Sequence, residues 1–193
     1  MAGRGKPRAG WGRRLLLVLF FAFATGVAWE LATWPDVARL ATERPVSTAF
    51  IDHYRARQRA HGKPDRVAWA WVPYAAISAD LKRAVLVSED INFFSHRGFD
   101  LGEVQNALEK AVREGEVPRG ASTITQQVAK NLWLSPSRSP WRKAKEANLT
   151  WQLEGTLSKR RILELYLNVA EFGPGVFGVG AASQRYFGRP AAE

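Results

Sequence analysis

The chain has 193 residues, of which 46% are hydrophobic and 24% charged, with no cysteine and a net charge of +10. This composition excludes intrinsic disorder, a disulfide scaffold, a cysteine nucleophile and thiolate metal sites. His53, His61 and His96 are too scattered along the chain for a histidine zinc site.

The net charge invites a nucleic-acid reading, but its distribution divides it into separate problems. Residues 1–14 carry five basic residues (Arg4, Lys6, Arg8, Arg13, Arg14) and no acid. Residues 119–161 carry nine basic residues and two acids, and the remainder is nearly balanced, with 14 basic and 16 acidic residues. The first block is followed at once by the apolar run Leu15–Trp34, whose 20 residues suffice to cross a hydrocarbon core as a helix. A one-sided basic flank predicts a cytoplasmic N-terminus with the remainder outside. A cleaved signal peptide is the rival, because Ala22-Phe23-Ala24 has the small-x-small form. With the basic region on the outer side, nucleic acid is not an expected partner.

Residues 35–67 are expected to be a connecting or jaw region, because Pro35, Pro45 and Pro64 each disfavour helix at the preceding residue. Trp69-Ala70-Trp71-Val72 reads as a short strand or extended stretch. Helical signals then follow in series. Ser78 is an N-cap before Ala79–Ser88. Leu101–Glu114 sets Val104, Ala107, Leu108, Ala111 and Val112 on one face and closes at Gly115. Thr123 and Gln126 form a capping box for a helix to about Leu134. Ser139-Pro140 opens Trp141–Leu157. Ser158 caps a helix to about Val169, and Gly178–Phe187 ends at Gly188. The fold class is mainly α.

Four blocks carry chemistry. Glu89-Asp90…His96-Arg97-Gly98-Phe99-Asp100 follows a helix, with Phe93 and Phe94 placed to wall a carboxylate and raise its proton affinity for acid–base work. A solvated acid pair at a helix end is the plainer alternative. Gly120-Ala121-Ser122-Thr123-Ile124-Thr125-Gln126-Gln127…Lys130-Asn131 clusters side-chain donors at a helix start, which suits sugar and phosphate oxygens. Capping accounts for Ser122 or Thr123 and for Gln126, but not for Gln127, Lys130 and Asn131 together. Arg142 and Glu146 share a helix face at i,i+4, where an ordinary surface ion pair is the alternative. Lys159-Arg160-Arg161 begins the helix of Ile162-Leu163-Glu164-Leu165-Tyr166-Leu167-Asn168. Cations at a helix N-terminus oppose the helix dipole, a placement that makes sense if they serve an anionic ligand; a solvated basic face is the equal alternative.

These blocks, in this order, resemble the motifs of the peptidoglycan glycosyltransferases, the transglycosylase domains of bifunctional penicillin-binding proteins and their monofunctional relatives. Ala170-Glu171-Phe172-Gly173-Pro174-Gly175 and Ala181-Ala182-Ser183…Tyr186-Phe187-Gly188 continue the likeness, which covers roughly residues 68–190. A basic tail, one anchor and no transpeptidase domain are similar to the monofunctional biosynthetic type. The resemblance implies a tail over 1–14, a transmembrane anchor over 15–34, and a lysozyme-like domain with head and jaw over 68–193. It also implies further helices beyond this point, so the chain is expected to be truncated at its C-terminus.

The implied reaction polymerises lipid II. The growing undecaprenyl-pyrophosphate-linked glycan is the donor and the 4-hydroxyl of lipid II the acceptor, with inversion at the sugar. The implied catalytic residues are Glu89, as general base, and Glu146, on the donor side. Lys130, Arg138 and Arg142 would hold the pyrophosphate, and Ser122, Thr123, Gln126 and Asn131 would line the donor site. A divalent cation, Mg or Mn, at the pyrophosphate is the cofactor the resemblance allows. The implied setting is a single pass through the bacterial inner membrane, alongside cell-wall synthesis or division proteins. A lytic hydrolase with Glu89 as general acid is the first rival, and a membrane-anchored scaffold the second. The hydrolase leaves the cations unexplained, and the scaffold leaves both glutamate blocks unexplained.

Overall fold

The computed structural model describes residues 9–115, 122–137 and 139–193. They divide into two units, one ending at Asp36 and the other spanning Val37–Glu193. The first unit holds α1, Ala9–Ala32, a strongly apolar helix of 24 residues whose large apolar side chains stay exposed. At 1.5 Å per residue it is long enough to cross a bilayer core about 30 Å thick. Arg13 and Arg14 lie in its first turns, whereas Arg4, Lys6 and Arg8 lie outside the described residues.

The second unit is helical with one small sheet. Its elements are α2 (Ala49–Ala60), β1 (Ala68–Trp69), α3 (Ala79–Glu89), α4 (Leu101–Glu114), α5 (Ile124–Trp133), α6 (Pro140–Thr156), α7 (Lys159–Val169), β2 (Glu171–Gly173), β3 (Val176–Phe177) and α8 (Gly178–Phe187). The caps follow the local chemistry. Ser78, Thr48, Asp100, Thr123, Ser139 and Ser158 each accept a backbone N–H with their side chains, satisfying donors that the first helical turn leaves free. Gly115 and Gly188 close α4 and α8 in the left-handed region.

The core centres on α5 and α7, with α6 packed against both. Ile124, Val128, Leu149, Leu153, Ile162, Leu163, Leu165 and Leu167 are all but fully buried. Each such side chain contributes about 1.5–3 kcal/mol of burial. In the sheet β3 is central, parallel to β1 and antiparallel to β2. Asn168, fully buried near the end of α7, tethers the segment after β1. Its Oδ1 accepts Val72 N–H at 2.7 Å, its Nδ2 donates to Val72 O at 2.9 Å, and its own carbonyl accepts Trp69 Nε1–H at 2.7 Å.

Two features depart from expectation. Residues 35–67 contain α2, which is capped by Thr48, buries Ile51 and packs against α5. Flanking prolines hid this helix, and its strongly polar surface gives only a weak apolar stripe. The stripe on α4 does form, but Val104, Leu108 and Val112 face outward at 45%, 55% and 78% exposure.

Candidate active site

Glu89 is the last residue of α3 and is exposed. Gln127, on the first turn of α5, donates from Nε2 to Glu89 Oε2 at 2.9 Å. The Oε1 of Gln127 lies 3.5 Å from the hydroxyl of Tyr166 on α7. Burial and then the negative charge of Glu89 push the Tyr166 phenol well above its ordinary value. It therefore remains a protonated donor at physiological pH.

Of the two acids, the one this loop encloses is Asp90, not Glu89. Phe93 turns into the core at 0% exposure, Phe94 points outward at 58%, and Asp90 is the buried acid. Asp90 accepts from His96 Nε2 at 2.9 and 3.1 Å and from the backbone N–H of Ile124 at 2.9 Å. His96 Nδ1 accepts the N–H of Gly98 at 3.1 Å, which puts the ring proton on Nε2, toward Asp90. Thr123 Oγ1 donates to Gly98 O at 2.7 Å. The loop after Glu89 is thus stitched to the start of α5, the element that carries Gln127.

Glu146 lies two turns into α6 and is 2% exposed. Its Oε2 accepts from Arg142 Nη1 at 2.6 Å, as i,i+4 spacing predicts, and its Oε1 accepts from Lys143 Nζ. Lys130 faces the same space from α5. Burial depresses its ammonium below the ordinary lysine range, and the Arg142 and Lys143 charges add to this while Glu146 and Glu89 oppose it. The Nε of Arg142 is buried without a hydrogen-bond partner. This group stands ready to donate to an incoming oxygen.

These side chains line a cavity of about 460 Å³ with Ser122, Gln126, Gln127 and Phe50. A smaller one of about 180 Å³ is lined by Glu89, Asp90, Asp100, Glu103, Ser122 and Thr123. Ser122 borders both. The two glutamates therefore serve adjoining spaces, one acidic and one dominated by three cations.

The remaining expected residues fall as follows. Gln126 borders the larger cavity, but its Oε1 accepts the Thr123 N–H, completing the capping box. The Thr123 hydroxyl is committed to Gly98 O and to the cap. Asn131 is buried and is not part of either cavity wall. Arg138 lies outside the described residues.

The cations at the start of α7 do not serve this site. Lys159 pairs with Glu154 at 2.8 Å, and Arg160 stacks 4.6 Å from the Tyr74 ring centroid. Arg161 binds Leu40 O at 2.7 Å, Glu43 O at 2.6 Å and Glu164 at 3.0 Å. The expectation of an anionic ligand there gives way to internal partners. The structure adds Tyr166, and Phe50 from α2, to the site, and pairs Gln127, one of the donors that capping does not explain, with Glu89.

A divalent cation fits these groups poorly. Both oxygens of Glu146 are taken by cations, and among the described residues no other carboxylate lines its cavity. Asp90, His96 and Asp100 have ligand atoms within 4.8 Å of one another. Yet both His96 nitrogens are engaged, and Asp100 caps α4 and holds Asn92.

Residues 57–193 match the family model described as Transglycosylase. The chain belongs to this transglycosylase family. Similar proteins carry the name biosynthetic peptidoglycan transglycosylase. One from Azoarcus sp. (strain BH72) is 50% identical over 94% of this chain and 78% of its own length. One from Thiobacillus denitrificans is 51% identical over 89% and 74%, and one from Laribacter hongkongensis 42% over 94% and 77%. The match begins at residue 57, inside α2.

Proposed function

We propose that this protein is a peptidoglycan glycosyltransferase. It polymerises lipid II into glycan strands, with the growing undecaprenyl-pyrophosphate-linked chain as donor and the lipid II 4-hydroxyl as acceptor. The observation that carries this reading is the pair of adjoining cavities meeting at Ser122, one holding Glu89 and the other the Lys130–Arg142–Lys143 cluster around Glu146. A hydrolase of finished glycan has no pyrophosphate to hold and leaves that cluster without a purpose.

Glu89 is the general base. A sugar hydroxyl is a weak nucleophile, and a positioned carboxylate base accelerates such a step by about 10²–10⁴-fold, or about 3–5 kcal/mol of barrier. Gln127 holds one of its oxygens, which leaves the other to take the hydroxyl proton. The leaving group is a pyrophosphate whose charge grows as the glycosidic bond breaks. Lys130, Arg142 and Lys143 neutralise that charge, in a partly buried site where fixed cations act more strongly than in water, and the sequence motif gives Arg138 the same role. Glu146 keeps Arg142 and Lys143 extended toward the same space. Ser122 and Gln126 contact the donor sugars, Thr123 stands in the wall of the smaller cavity, and Asn131 shapes the site from behind. A single displacement converts the α-linked donor to a β-1,4 product, so no covalent enzyme intermediate is required.

α1 anchors the chain in the inner membrane in a single pass, with the basic tail in the cytoplasm. Membrane, lipid II and nascent glycan are its partners. The test is product analysis with the full-length, detergent-solubilised protein and labelled lipid II. Polymer is the expected product. Cleavage of finished glycan without polymer from lipid II would overturn the reading.

A further inference from the structure

A buried acid that the proposed chemistry does not use lies beneath the site. Glu154 sits near the end of α6, its side chain only 7% exposed. Its Oε1 accepts from Thr125 Oγ1 at 2.5 Å and from Lys159 Nζ at 2.8 Å. Thr125 is fully buried on the first turn of α5, two residues before Gln127. Lys159 is the first residue of α7, and its Nζ stands 4.3 Å from the Phe93 ring centroid. Phe93 is fully buried in the loop that leaves Glu89, and its N–H donates to Asp90 O at 3.0 Å.

The same carboxylate chain also closes against that loop at Gly98. A Cβ there would lie 2.8 Å from Thr150 Cγ2 and 3.1 Å from Glu154 Cγ, and the residue has a φ of +88°. Only glycine allows the loop to approach α6 this closely. Gly98 in turn holds His96 through its N–H and Thr123 through its carbonyl. One buried carboxylate thus touches, directly or through one partner, α5, α6, α7 and the loop that bears the proposed base.

We propose that Glu154 is a positioning residue for glycosyl transfer, fixing the loop behind Glu89 against the α5 turn that carries Gln127. This rests on the functional reading given above. Glu154 touches no part of either cavity, so its effect is exerted through Thr125, Lys159 and Phe93. A buried ion pair is weak evidence for stability alone, whereas a carboxylate on α6 that bridges α5, α7 and the loop suits a geometric role. Misplacing a base by about 1 Å can cost about 10²-fold in rate.

The experiment uses the full-length protein in detergent with labelled lipid II. Glu154→Gln, Lys159→Met, Thr125→Val and the double variant Glu154→Gln/Lys159→Met are compared with wild type. Both kcat and KM are measured per folded molecule, well below each unfolding midpoint. Glu154→Gln and Lys159→Met should each lower kcat about tenfold or more with KM held within about twofold. The double variant should be no slower than the slower single variant, because both act along one path. Where Glu154→Gln does not fold, Lys159→Met and Thr125→Val decide by the same criterion. Folded variants with wild-type kcat, whatever their unfolding midpoints, would overturn the proposal, as would a rise in KM at unchanged kcat. A wild type that makes no polymer would instead overturn the functional reading, and the proposal with it.

Discussion

Gln127 donates to Glu89 across 38 residues of sequence, from the first turn of one helix to the last residue of another, at 2.9 Å. This contact gives the exposed carboxylate a fixed orientation that helix α3 alone would not supply. A hydrogen bond to a charged group is worth about 1.5–3 kcal/mol. Gln127→Ala should therefore lower kcat by about tenfold to a hundredfold while the unfolding midpoint barely moves, since Gln127 is only partly buried. Steady-state polymerisation rates with matched thermal melts check this. An unchanged kcat would remove Gln127 from the mechanism.

Asp90 should behave in the opposite way. It is buried and accepts from both His96 and the Ile124 N–H. In Asp90→Asn one acceptor oxygen becomes a donor facing an N–H. The expected loss is about 2 kcal/mol, or roughly 4–8 °C in Tm for a chain of this size. Activity falls with it, because the loop behind Glu89 loosens. Scanning calorimetry on the solubilised protein reads the first effect, and lipid II turnover the second.

Lys130 carries a pH prediction. Its folded-state value is lowered from 10.5, first by burial. The unfolded chain then binds more protons than the folded one in the window between the two values. Stability should consequently rise with pH through that window rather than fall. Donor binding should move the other way, since a neutral amine no longer attracts pyrophosphate. KM for the donor is expected to climb at a pH below the ordinary lysine value, and Lys130→Arg, always charged, should abolish that climb. A KM profile identical in the two proteins would contradict the assignment.

Glu146 separates stability from chemistry less cleanly. Its removal leaves Arg142, 84% buried by its 16% side-chain exposure, without its carboxylate. Breaking such a buried pair costs about 3 kcal/mol or more. Glu146→Gln should lower Tm and reduce kcat at least about a hundredfold. Adding Arg142→Met should recover part of the stability and none of the activity, as read by paired melts and turnover.

The features legible in the sequence are those set by neighbours along the chain. Ser78, Thr123 with Gln126, Ser139-Pro140 and Ser158 announce their helices because a cap needs only the next three residues. Arg142 and Glu146 meet because four residues make one helical turn. What escaped is tertiary. Nothing local says that Phe93 turns inward and Phe94 outward, and so that Asp90 rather than Glu89 is enclosed. Nothing local commits Lys159 to Glu154 or Arg161 to Leu40 O, so both read as cations awaiting a ligand. Helix α2 is not legible locally because Pro45 and Pro64 lie outside its ends, where they bound a helix rather than break one.

The most direct test of the account is the single-turnover rate of polymer formation from labelled lipid II by Glu89→Gln. The variant keeps the shape of the side chain and removes only its capacity to take a proton. The account predicts a rate at least about a hundredfold below wild type with an unchanged melting temperature. A wild-type rate in a folded Glu89→Gln variant would contradict it.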